Sequence, residues 1–187
     1  MTKTMTYDNR NVTMRLPRTE SIEFVVRAND KPHLGEINNN VDKIFEVARV
    51  TMKLTALADG TVPDPQPTVL DRLIKIGLAD FSKNERIATV QREDPKRTSG
   101  LPFRQVTDST FEWVPTEPIA LWRGEALEFQ VVPRGTAKSN APDALQAFLV
   151  TFRNERREID AVRVEITIEG DNCILGSKNV GVENPLG

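Results

Sequence analysis

Between Val162 and Ile168 the chain alternates without a fault: Val162, Val164, Ile166 and Ile168 are branched and apolar, while Arg163, Glu165 and Thr167 are polar. A period of two sorts the two sets onto opposite faces only if the segment is an extended strand, with one face in a core and the other in water. Such a strand needs partners. Upstream, Leu145 to Phe152 is β-rich and more continuously apolar, and the charged run Asn154 to Glu158 connects it to the alternating segment, so the two are expected to be adjacent antiparallel strands.

The same reading predicts strands over Ser21 to Ala28, Val50 to Ala56, Arg86 to Gln91 and Thr110 to Val114. In Ile119 to Val132 a short apolar strand meets Arg123-Gly124-Glu125, where Gly124 tolerates the positive φ of a turn, and a second alternating strand begins. Val41 to Leu57 fits a helical face in its first half, but β-branched residues favour a strand in the second. A short helix is expected over Val69 to Ile76, with Thr68 as its cap and Gly77 at its end. Loops are expected over Asn29 to Asn40, Asp59 to Pro67 and Glu93 to Pro102, and a turn at Gly170-Asp171. About seven strands spaced by turn signals indicate a mainly β chain, an antiparallel β-sandwich or barrel with one short helix. The expected organisation is an extended N-terminal arm over 1–20, a sandwich over 21–170 and an extended tail over 171–187.

At 187 residues the chain is long enough for one domain with a sizeable core, and a 39% hydrophobic and 28% charged composition is ordinary for a globular protein. A net charge of −2 provides no global field to gather nucleic acid or an anionic membrane. No apolar run has the length of a signal peptide core or a membrane span, and the single cysteine cannot form an internal disulfide. Synthesis in a reducing cytoplasm, without signal-peptide secretion, is the expectation.

Catalytic groups are scarce. One histidine, His33, sits in a predicted loop, and one cysteine, Cys173, reads as a small half-buried thiol. Histidine-based triads and most zinc sites need more of both residue types. Asp59, Asp64 and Asp71 match no calcium-loop spacing, and no glycine-rich phosphate loop is present. No catalytic residue, metal or cofactor is therefore expected. Local positive charge gathers at Lys83, Arg86, Arg92, Lys96, Arg97 and Arg104, and at Arg10, Arg15 and Arg18 with Lys3. These are candidates for an interface or a polyanion contact, although they lack the interleaved aromatics of single-strand binders. Trp113 and Trp122 are expected in the core; an exposed one would be an aromatic anchor for a sugar or an interface.

The opening segment to about Thr19 is polar and turn-rich, and 176–187 has little to fold on by itself, so both are expected to be held by neighbouring subunits. By strand pattern over Ser21 to Gly170, with Trp122-Arg123-Gly124-Glu125 as a strand entry, the chain resembles single jelly-roll capsid and capsid-associated proteins of viruses and bacteriophages. The resemblance implies a structural virion protein, made in the host cytoplasm, that self-assembles through termini and loops without a cofactor. The near-neutral charge departs from coat proteins that hold RNA with a basic arm. Two other readings stay open: a carbohydrate- or peptide-binding β-sandwich module, and a hydrolase using two facing carboxylates.

Overall fold

The computed structural model describes residues 6–27, 31–58, 74–80, 85–89, 103–131, 154 and 159–178, with backbone pairing alone for 74–80 and 85–89. All the elements among these residues are strands: β1 (Thr6–Tyr7), β2 (Arg10–Val26), β3 (His33–Asn38), β4 (Ile44–Leu57), β5 (Ile74–Asp80), β6 (Glu85–Thr89), β7 (Arg104–Thr107), β8 (Thr110–Trp113), β9 (Ile119–Leu121), β10 (Glu125–Val131) and β11 (Ala161–Leu175). The expectation of a mainly β, antiparallel chain is met.

The strands form two antiparallel sheets. One runs β1-β2-β11-β4-β8-β7 with β9 also on β4, and the other runs β3-β10-β5-β6. The pairing is nested: β5 meets β6, β4 meets β8 and β9, β3 meets β10, and β2 meets β11, so each pair encloses the next. β11·β4 and β10·β5 then stitch the nested pairs into sheets.

The faultless alternation of Val162 to Ile168 lies at the centre of the larger sheet. Its apolar residues form rungs across four strands: Ile22, Ile166, Met52 and Phe111 lie in register, as do Glu20, Ile168, Val50 and Trp113. Phe111, Met52, Leu54 and Phe45 are wholly buried, each such side chain contributing about 1.5–3 kcal/mol by leaving water. Ile37, Leu127, Phe129 and Val131 from the smaller sheet join the same hydrophobic cluster.

Several expectations are corrected. The loop over Asn29 to Asn40 contains β3, so His33 stands in a strand paired with Val131. The strand in Val41 to Leu57 starts earlier than its β-branched half, at Ile44. Ile74–Ile76, the end of the expected helix, belong to β5, while 68–73 lie outside the described residues. In place of a turn at Gly170-Asp171, β11 continues to Leu175, with a register shift between Glu169 and Gly170 where Arg49 and Val47 are successive partners and Ala48 is the extra residue. A Cβ on Gly170 would overlap the Glu46 carbonyl, so the close approach of β11 to β4 at this bulge requires glycine. The strand expected over Leu145 to Phe152 lies outside the described residues.

Candidate functional site

At the end of the larger sheet the chain does something its centre does not. Residues Ile44 to Val47 of β4 are all buried, so both faces of the strand are covered there. Arg15, Cys173 and Ile44 are register neighbours across β2, β11 and β4, and Glu46 lies opposite Asp171. The Glu46 carboxylate, only 3% exposed, accepts the Tyr7 hydroxyl at 2.5 Å and an Arg15 guanidinium N–H. Arg15 also lies 3.3 Å from the Cys173 thiol. β1 brings Tyr7 into place through a two-residue turn in which Asp8 and Asn9 both have positive φ, at 50° and 56°, the geometry that matches a hairpin's twist.

Burial pushes the Cys173 thiol up from its ordinary pKa, with Arg15 opposing and Asp171 reinforcing the shift. Burial also raises the Tyr7 phenol, with Cys173 adding to the shift and Arg15 opposing it. Both groups therefore hold their protons at neutral pH: Tyr7 is a hydrogen-bond donor to Glu46, and Cys173 lacks the thiolate a nucleophile requires. The thiol is fully buried rather than half-buried.

On the core side, Asn39 is a fully buried amide whose backbone and side chain are both engaged. Its N–H donates to the Glu125 carbonyl and its carbonyl accepts from Gly124. Its side-chain nitrogen donates to the Lys43 and Leu121 carbonyls, and its side-chain oxygen accepts from Arg18. One side chain thus fixes the β3–β4 connection to the β9–β10 turn. The Arg18 guanidinium lies 4.4 Å from the centre of the Phe45 ring, covering the end of the core with a cation over an aromatic face.

The β9–β10 turn stands beside this platform. Gly124 has φ 85°, the Trp122 carbonyl accepts from the Glu125 N–H, and the Trp122 N–H donates to the Glu125 carboxylate at 2.8 Å. The turn presents Trp122, 39% exposed and perpendicular to the Tyr7 ring at 6.0 Å between centroids. A cleft of about 240 Å³ opens here, with Trp122, Arg10, Lys43, Arg123 and Asp42 on its walls and Cys173 among the residues beneath.

The expected site residues are thus divided. Trp113 is in the core, 8% exposed and edge-on to Phe103, whereas Trp122, one residue past the end of β9, is exposed. Arg15 and Arg18 are tied to Glu46, Glu20 and Asn39 within the chain. Arg10 pairs with Asp8, which Lys178 shares; those two cations hold the Asp8 carboxyl below its ordinary value, Lys178 being the larger cause. Arg104 is exposed and pairs with Glu112, which also faces Arg49. Arg86 has only its backbone described, in β6, and Lys83, Arg92, Lys96 and Arg97 lie outside the described residues, as do Asp59, Asp64 and Asp71.

Sequence reasoning missed Glu46 and Asn39. A lone charge inside Ile44-Phe45-Glu46-Val47 was the available signal for Glu46, because carboxylates are rarely buried unless paired. Asn39 carries no such mark within three consecutive asparagines. Among the described residues no three histidine, cysteine, aspartate or glutamate side chains gather as a metal site, and no helix is long and apolar enough to cross a membrane. No protein-family model matches the chain, and no curated protein matches it significantly.

Proposed function

We propose that the chain is a jelly-roll structural protein, a shell or shell-associated subunit of a virus particle that assembles with copies of itself or with other shell subunits. The observation that carries this reading is the nested pairing of β2·β11, β3·β10, β4·β8/β9 and β5·β6 across two sheets. Nested pairs are what one long antiparallel hairpin acquires when it is rolled up, and a two-sheet roll of eight main strands is the architecture used by viral coats as well as by lectins and cupins. A single hydrophobic cluster drawing on both sheets supports the sandwich form of that roll.

Exposed apolar side chains favour the assembly role over a solitary one. Met14 and Leu16, two residues apart on β2, are 54% and 39% exposed, and Met14 is in register with Ile174. Two large apolar residues side by side on a strand are a surface that a second copy can cover.

Sedimentation velocity across a concentration series tests the reading. The expected result is a species much larger than one chain, weakened in the M14K/L16K double variant. A monomer at every concentration, with 10–26 and 161–175 resistant to protease, would remove the reading's support.

A further inference from the structure

We propose that the cleft between the β1–β2 hairpin, the β3–β4 connection and the β9–β10 turn binds an acidic sugar, with its ring against Trp122 and its carboxylate among Arg10, Lys43 and Arg123. The inference is independent of assembly, since it rests on the walls of one chain.

Charge selects the ligand's sign. Three cationic side chains and one carboxylate, Asp42, line the cleft, in a protein whose net charge is −2, so the local excess runs against the molecule's own balance. Arg10 is only partly committed: its terminal nitrogen meets Asp8 at 3.3 Å, but Asp8 also serves Lys178 at 3.2 Å. Guanidinium forks match a carboxylate in two-point geometry, and Lys43 adds a point charge.

Shape and rigidity select the rest. At about 240 Å³ the cleft is smaller than the usual range for drug-sized ligands and suits one ring rather than a length of peptide. Trp122 supplies a flat apolar surface with few torsions to order on binding. Its indole is set in advance by the perpendicular Tyr7 ring, and its backbone is held by Glu125 on both sides of the turn. Tyr7 is in turn fixed by Glu46, so the buried cluster beneath positions the wall above.

Titration with glucuronate, followed by indole fluorescence and calorimetry, tests the site, the buried Trp113 giving a constant background. Saturable binding is expected. It should weaken about tenfold in Arg123→Ala and in Trp122→Ala, both checked for unchanged circular dichroism, and should fall with added salt, while glucose gives no response. Equal binding of glucose, equal binding of sulfate alone, tighter binding of a tetraglutamate peptide, or no saturable response to glucuronate would each overturn the proposal.

Discussion

The same three strands, β2, β11 and β4, behave differently at their two ends. In the central half, Val162 to Ile168 against Ile22 to Val26 and Val50 to Ala56, one face is buried and the other meets water. In the distal half, Arg10 to Arg18 with Gly170 to Leu175 and Ile44 to Val47, β4 is buried on both faces while β2 keeps Met14 and Leu16 exposed. The central half is held by apolar rungs, and the distal half by a carboxylate, a phenol, two arginines and one buried amide. Burial of apolar area is tolerant of detail, whereas a polar cluster holds only while every member has its partner. The distal half is accordingly where small chemical changes should have sharply local effects.

The largest effect is expected in the centre. Phe111→Ala should cost about 4 kcal/mol, read as a lower urea midpoint for the whole fold, because a wholly buried ring leaves a cavity beneath four strands. Gly170→Ala should cost about 3 kcal/mol, since the new methyl meets β4 backbone that cannot step aside. Asn39→Ala should follow at about 2 kcal/mol by stripping the Lys43 and Leu121 carbonyls of a donor. Hydrogen exchange should then rise at Leu121 to Glu125 and leave Val162 to Ile168 protected. Equal loss of protection in both halves would show that the two ends of these strands are not held independently.

A smaller effect separates the halves by pH. The folded pKa values of Cys173 and Tyr7 are raised, so as pH climbs through the ordinary thiol and phenol values of 9.0 and 10.0 the unfolded chain releases these protons first. Stability should therefore fall in that window, and thermal melts of Cys173→Ala should show a flatter decline.

How much of this was legible follows the same division. Where one face is core and the other water, alternation marks the central strands directly, and the Gly124 turn and the burial of Trp113 match their sequence signals. Where both faces are covered the period disappears, and β4 began six residues before its β-branched half. Pro32 and Gly35 on either side of His33 carry the signal of a loop although His33 stands in β3, and Gly77 stands where a helix commonly stops although Ile74–Ile76 belong to β5. Trp122 follows an apolar strand and so carries a core signal, but it lies past the end of β9 and is exposed. The cleft itself had no local pattern: Arg10, Lys43, Arg123 and Cys173 meet only through long-range pairing.

Electron microscopy of the concentrated protein decides between an assembling subunit and a solitary chain. Closed shells or ordered arrays of repeated copies are expected, with the Met14 and Leu16 surface of β2 at a subunit contact. Isolated single chains at every concentration and salt condition, alone and with co-expressed shell partners, would rule the assembly role out.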